Sequence, residues 1–237
     1  RYLGLCFDHM HMGDLLRLVA DTPGCSIAGI YDPDIRKMSA AIETHSIPAN
    51  RVFTDLQTAF AEAGADAAIV CSTTAEHANV TVAAFEAGLH VICEKPFAAN
   101  VADADRMIEA SATAGKTLAI NWPLAWYPPH ITTKRLIDEG TIGDVLEVHF
   151  YDGNRGPLRH LADKIEVSEQ DAADMKRASW WYDPARGGGS LLDYLGYGTT
   201  LGTWFLGGRE PLTVTAITDN VDATFVDEHA IVVCRYA

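Results

Sequence analysis

His90-Val91-Ile92-Cys93-Glu94-Lys95-Pro96 is the stretch on which the fold turns. The run from His90 to Cys93 is short, apolar and β-branched at its centre, and it reads as a strand. At its carboxyl end stand an acid and a base, then a proline. Proline forces the residue before it into an extended conformation, so Lys95 is directed into whatever crevice opens beyond the strand. Working outward, Thr73-Thr74-Ala75-Glu76 has capping-box spacing and opens a helix to about Ala87. On the other side, Val101 to Ala114 reads as a helix and Thr117-Leu118-Ala119-Ile120 as a further strand. Upstream the alternation continues. Tyr2 to Phe7 reads as a strand, Met12 to Ala20 as a helix, Ser26 to Tyr31 as a strand, and Asp34 to about His45 as a helix. Thr54-Asp55-Leu56-Gln57 is a second capping box, before the strand Ala67-Ala68-Ile69-Val70.

Short strands that are continuously apolar and separated by helices imply a parallel sheet covered on both faces. Residues 1–121 are therefore expected to form an α/β, doubly wound domain. The pattern then changes, and residues 122–237 are expected to form an α+β domain with antiparallel strands. Pro123, Pro128 and Pro129 punctuate a loop, a helix runs from about Ile131 to Glu139, and Val145 to Tyr151 alternates like a half-buried antiparallel strand. The acidic stretch from about Leu158 to Ala178 reads as a surface excursion. Gly187-Gly188-Gly189 leads into a long helix ending near Gly207, and Leu212 to Thr218 and His229 to Tyr236 are the last strand candidates. The chain stops inside that final candidate, which predicts a sheet incomplete at its carboxyl end. It opens without methionine, which leaves a trimmed leader open.

The 237 residues carry 32 acidic and 18 Lys and Arg side chains, a formal net charge of −14. Such a surface repels nucleic acid and anionic lipid, so neither is an expected partner. A small-molecule pocket remains compatible with it. The five cysteines are odd in number and form no CxxC pair. This reads as a reducing, cytoplasmic setting without a disulfide framework. No apolar run approaches the ~18 residues of a membrane helix, and no signal peptide is visible.

In a doubly wound sheet, ligands bind beyond the carboxyl ends of the strands. After the first strand a standard dinucleotide fold has GxGxxG, whose glycines let the backbone approach a pyrophosphate. Here the segment is Phe7-Asp8-His9-Met10-His11-Met12-Gly13. A helix amino terminus can still offer N–H groups to a phosphate, and the two histidines could donate as well. Phe7, Asp8, His9, His11 and Met12 are therefore candidate cofactor contacts, against the plainer reading of loop histidines capping a helix. His-x-His with Asp8 suggests a metal, but no third ligand of the right type stands nearby in the sequence, and none is expected. Asp32 ends the second strand, where a carboxylate accepts ribose hydroxyls and repels a 2′-phosphate. This favours NAD. Arg36 and Lys37 keep NADP open, and Asp32-Pro33-Asp34 is also a plain turn signal. Ser72, Thr73, His77, Glu94, Lys95 and Asn121 complete the candidate cofactor set.

His77 and the segment Ala87 to Pro96 together resemble the signature of the Gfo/Idh/MocA oxidoreductases. Gly140-Thr141-Ile142-Gly143, Trp181, Gly187 to Asp193 and Trp204-Phe205-Leu206-Gly207 match in order. The resemblance covers nearly the whole chain. It implies a Rossmann domain joined to an open-sheet α+β domain, and NAD(P)-linked oxidation of a sugar or cyclitol hydroxyl or reduction of the matching ketone. It also implies a homo-oligomer built through that sheet. The family lysine falls on Lys95 and the family aspartate on Asp193. Four residues later most members carry a histidine acid/base, and here stands Tyr197. The resemblance thus implies Lys95, Asp193 and Tyr197 as catalytic and substrate-binding residues. Tyr197 also reads as a packed core aromatic. Asn154 and Arg155 are further substrate candidates, or simply a solvent loop. The first loop and the segment Asn121 to Trp126 depart from the family pattern. A noncatalytic dinucleotide-binding or regulatory protein of the same fold is one alternative, and a hydrolase or lyase using NAD transiently is another.

Overall fold

In a computed structural model, residues 1–152, 168–219 and 226–237 are described, and they form two compact units, Arg1–Asn121 and Trp122–Ala237. The first unit is a six-stranded sheet of β1 (Tyr2–Leu5), β2 (Ile27–Tyr31), β3 (Val52–Phe53), β4 (Ala67–Val70), β5 (His90–Glu94) and β6 (Leu118–Asn121). Every pairing is parallel and the order is β3-β2-β1-β4-β5-β6. The five connecting helices are α1 (His11–Asp21), α2 (Ser39–His45), α3 (Leu56–Glu62), α4 (His77–Glu86) and α5 (Val101–Ala114).

Period-two alternation distributes each strand's apolar residues between two cores. Leu3, Leu5, Ala68, Val70, Val91 and Cys93 pack with Phe85 of α4 and Met107 of α5. Ile30 and Ile69 face the other way, onto Met12 and Leu16 of α1. A strand buried on both sides has no polar face, which is why these runs read as continuously apolar.

Several helix starts differ from the sequence expectation. α3 is capped by Asp55, not Thr54: Asp55 Oδ1 accepts the Thr58 N–H at 2.8 Å and the Thr58 hydroxyl at 2.6 Å. A carboxylate reaching two donors outcompetes a hydroxyl one residue earlier. Thr73 makes no side-chain cap; a single 3-10 turn over Thr74–Glu76 precedes α4. Asp34 caps a 3-10 turn, Ile35–Met38, before α2 begins. α5 runs between the Asn100 cap, which accepts the Asp103 N–H, and Gly115 in the left-handed conformation.

The second unit holds α6 (Pro128–Asp138), α7 (Glu169–Ala178), α8 (Ser190–Phe205) and the antiparallel pair β7 (Thr213–Thr218) and β8 (Ala230–Arg235). The expected strand at 145–151 is not formed. β7 and β8 pair with each other, and among the described residues no third strand offers that segment a ladder. An alternating pattern without a partner leaves its backbone groups to water, and Leu146 and Tyr151 are exposed. The acidic excursion is corrected in its second half, which is α7, capped by Ser168 accepting the Asp171 N–H at 3.1 Å. Its Glu, Gln, Ala, Met, Lys and Arg residues are good helix formers, so polarity there marked a helix face rather than a loop. Among the described residues no helix is long and apolar enough to cross a membrane.

Candidate cofactor and active site

The sheet order reverses between β1 and β4, and this is where a doubly wound fold takes its ligand. β1 ends at Leu5, and Cys6 turns the chain with φ 65°, a left-handed conformation costing a non-glycine residue about 1–2 kcal/mol. Burial pushes the Cys6 thiol up to about 12, so it is inert packing. Six of the seven amides from Phe7 to Gly13 are engaged internally. Phe7 N–H donates to Asp32 Oδ2 at 2.8 Å. Asp8 and His9 N–H both donate to the Cys71 carbonyl at 3.1 Å, which ties the loop to the end of β4. His11 N–H donates to His9 Nδ1 at 3.2 Å. Met12 and Gly13 N–H donate to the carbonyls of His9 and Met10 at 3.2 Å.

Asp32 is buried just past β2, and its Oδ1 accepts the Asp34 N–H at 2.8 Å. Lys37 Nζ lies 2.8 Å from Asp8 Oδ1 and 3.8 Å from Asp32 Oδ2. Arg36 is drawn away by Asp34, with which it pairs at 2.6 Å. Asp32 thus braces the first loop.

Glu94, at the end of β5, is the hub of the opposite wall. Its side chain is wholly buried. Oε2 accepts the Lys95 N–H at 2.9 Å, and Oε1 accepts an Asn121 Nδ2 hydrogen at 2.6 Å and lies 3.0 Å from His11 Nδ1. Burial alone pushes this carboxyl up. The His11 hydrogen bond, the imidazoles beside it and the Asn121 amide outweigh burial and hold it below the usual carboxylate range. Glu94 is therefore ionised at neutral pH. Lys95 is itself buried, and its peptide with Pro96 is cis. His77, a cofactor candidate, pairs its Nδ1 with the Pro96 carbonyl at 2.9 Å, and burial lowers its pKa. A neutral imidazole donating Nδ1–H to that carbonyl steadies the turn carrying Lys95. Ser72 and Thr73 are buried past β4, with the Ser72 hydroxyl donating to the Thr73 carbonyl.

His9 is buried, and burial lowers its pKa to about 3, so it is neutral. Ligating atoms of His9, His11 and Glu94 lie within 4.8 Å of one another, close enough to consider a cation. The donor arrangement does not fit one. A ligating histidine turns its second nitrogen, as a donor, to an acceptor. His9 Nδ1 instead accepts a backbone N–H, and Glu94 already meets three donors.

In the second unit the triple glycine is steric. A Cβ on Gly188 would stand 2.3 Å from the Trp181 carbonyl oxygen. Gly189 has φ 116°, and a Cβ there would stand 2.8 Å from Asp227 Oδ1. Asp227 caps α8 from a distance in sequence, accepting the Leu191 N–H at 2.5 Å on Oδ2 and the Ser190 N–H on its carbonyl. Sequence reasoning missed this residue, because nothing local marks it. Asp193, in the first turn of α8, and Tyr197, one turn on, are both buried. The Tyr197 ring meets Trp122 edge-on at 5.5 Å and Phe150 stacked at 6.3 Å between centroids. Glycines on either side make room: a Cβ on Gly196 would fall 2.1 Å from Trp122 and one on Gly198 3.2 Å from Phe150. Tyr197 is thus packed among aromatics. Asn154 and Arg155 lie outside the described residues. A shallow depression of about 670 Å³ beside Lys134, Thr199, Thr203 and Trp204 contains none of the candidate residues.

Residues 6–122 match the model of an oxidoreductase family with an NAD-binding Rossmann fold, and residues 130–237 match the GFO/IDH/MocA C-terminal domain. The inositol 2-dehydrogenase of Streptomyces avermitilis is 30% identical over 173 residues, 73% of this chain and 50% of that protein. That of Salmonella typhimurium is 32% identical over 138 residues, 57% of this chain and 41% of the relative. The WlbA dehydrogenase of Bordetella pertussis, solved with NADH and UDP-GlcNAcA, superposes with a TM-score of 0.76 at 20% identity, covering 99% of this chain and 63% of that one. The chain spans about half the length of the curated relatives it matches.

Proposed function

Because the chain belongs to the Gfo/Idh/MocA oxidoreductase family, we propose that it is a dehydrogenase that transfers a hydride between NAD and a sugar, cyclitol or related hydroxy or keto compound. The observation that carries this reading is Lys95, a buried lysine at the carboxyl end of β5 whose backbone N–H donates to the ionised Glu94. A lysine fixed at that edge is placed to polarise a substrate oxygen. Asp32 supports NAD as cofactor: it is a buried carboxylate just beyond β2, where a doubly wound fold can offer an acceptor to a ribose.

Bound NAD accepts or returns the hydride. The rest falls to the protein. A hydride leaves carbon as a proton leaves the attached oxygen, so a base must reach that hydroxyl. Lys95 is assigned to polarise the oxygen, Tyr197 to take the proton and Asp193 to orient its neighbours; for the last two the family resemblance is the support. Glu94 and His77 position Lys95. Preference for NAD over NADP rests on Asp32 and on Arg36 being engaged by Asp34. Assembly as a homo-oligomer rests on the bare apolar face of β7 and β8, where Ile217, Ile231 and Val233 are exposed. The five cysteines, all free, support a cytoplasmic setting.

The test is a polyol and sugar panel followed at the nicotinamide absorbance, with Lys95→Met as the decisive variant. Its turnover should fall by about 10²-fold or more while NAD affinity holds. Near-normal turnover would reject the assignment. A noncatalytic dinucleotide binder is the reading that the altered first loop favours, and absence of turnover across the panel with NAD bound would favour it over the dehydrogenase.

A further inference from the structure

A bound dinucleotide lays a pyrophosphate against the loop after β1 and the start of the next helix. A glycine loop answers with free backbone N–H groups. Here six of the seven N–H groups from Phe7 to Gly13, all but that of Met10, are already donated within the protein. Asp8 adds a negative charge, which Lys37 meets. The side chains with the right chemistry at this edge are the two imidazoles. His9 is buried and neutral, and its Nδ1 accepts a hydrogen bond. His11 is different. Its side chain is 31% exposed, and its Nδ1 lies 3.0 Å from the buried Glu94 carboxylate.

An ionised carboxylate only accepts, so the proton of that hydrogen bond sits on His11 Nδ1. A neutral imidazole carries one proton, which leaves a lone pair on Nε2. A lone pair repels a phosphate oxygen. A second proton makes Nε2 a donor, and Glu94 on the other side of the ring balances the charge. We propose that His11, backed by Glu94, is the pyrophosphate-binding group of this chain, and that NAD binding loads one proton from solvent onto His11 Nε2. The proposal rests on the NAD-dependent reading and deepens it.

His11 stands between the Glu94 carboxylate and the His9 ring. Glu94 is ionised, and the His9 ring, 4.2 Å away between centroids, is held neutral. Lys95 and His77 act on His9 from beyond it, and Asp14 stands in the first turn of α1. His77 is lowered by burial and keeps its bond to Pro96.

Calorimetric titration of the full chain with NAD and with NADH, in buffers of different ionisation enthalpy at mildly alkaline pH, counts the protons. The expected uptake approaches one per NAD. Affinity should then fall by up to about tenfold per pH unit as pH rises past the histidine range. His11→Gln should weaken binding about tenfold at neutral pH and abolish both the uptake and the pH slope. His11→Lys, with a permanent charge, should bind NAD without uptake. Zero uptake by the wild type at undiminished affinity overturns the proposal and leaves the NAD reading standing. Uptake that persists in either variant also overturns it. Failure of NAD to bind at all removes the NAD reading, and the proposal with it.

Discussion

Replacing Glu94 by glutamine changes one oxygen to nitrogen at the centre of the first unit's ligand edge. The carboxylate meets three donors: the Lys95 N–H at 2.9 Å, the Asn121 amide at 2.6 Å and His11 Nδ1 at 3.0 Å. Glutamine has one acceptor oxygen. If that oxygen faces Asn121 and His11, the amide nitrogen confronts the Lys95 N–H, which the backbone fixes in place. If it faces Lys95, the nitrogen confronts the other two. In the first orientation a buried donor is left unmet, at about 1–3 kcal/mol. In the second the Asn121 amide must flip and His11 must carry its proton on Nε2, so that both accept. In either case the charge-assisted bonds drop to neutral ones. Removing a buried charge can itself stabilise a protein. That gain loses here, because the surroundings already hold Glu94 below the usual carboxylate range despite its burial. The net cost is about 2–4 kcal/mol, which lowers the melting temperature by roughly 5–15 °C. The pH dependence has a definite sign. A carboxyl whose folded pKa is depressed contributes stability above its unfolded value of about 4.3 and loses it as pH falls through the folded value. Thermal unfolding followed by circular dichroism at pH 7 and across pH 2–5 should show Glu94→Gln less stable at neutral pH and less acid-sensitive than wild type. A melting temperature within about 1 °C of wild type at pH 7 would refute the reasoning.

Calorimetry should find NAD bound more tightly than NADP, and Asp32→Ala should narrow the gap while weakening both, since Asp32 also holds the Phe7 and Asp34 N–H groups; equal or reversed wild-type affinities would reject the assignment. Gly188→Ala puts a methyl 2.3 Å from the Trp181 carbonyl and should cost about 1–3 kcal/mol or more. Gly13→Ala, inside α1 with nothing within 4 Å, should gain about 0.5–1 kcal/mol, so equal melting temperatures for the two variants would contradict the steric argument. Light scattering should show an oligomer that Ile217→Lys reduces in size, because Ile217 and Ile231 pair across β7 and β8 and are each 67% exposed; a wild-type monomer would remove the basis for the assembly.

The first unit was legible because its physics is local. A strand buried on both faces must be apolar throughout, and β1, β2, β4, β5 and β6 declared themselves that way. The cap of α3 slipped by one residue because Thr54 and Asp55 are both good caps, and only geometry chooses between them. Two other expectations failed for want of distant information. The segment 145–151 alternates correctly but needs a neighbouring strand, which its own residues cannot specify. α7 looked like solvent loop because a helix with few apolar residues shares its composition with one.

The candidate site divides along the same line. Residue types at the strand ends, such as Asp32, Glu94 and Lys95, could be picked out because a parallel sheet sends whatever follows each strand toward one edge. What those residues do for one another was not visible. His11 and Glu94 are 83 positions apart, and Asp227 caps α8 from 36 positions beyond Leu191. The His11–Glu94 pair shows the consequence. Read alone, the missing glycines of the first loop suggest a damaged phosphate site. Read with a buried, ionised carboxylate behind His11, the same loop is a cation in waiting. It exchanges a permanent set of N–H donors for one that solvent protons switch on, and an affinity that depends on pH follows directly from that exchange.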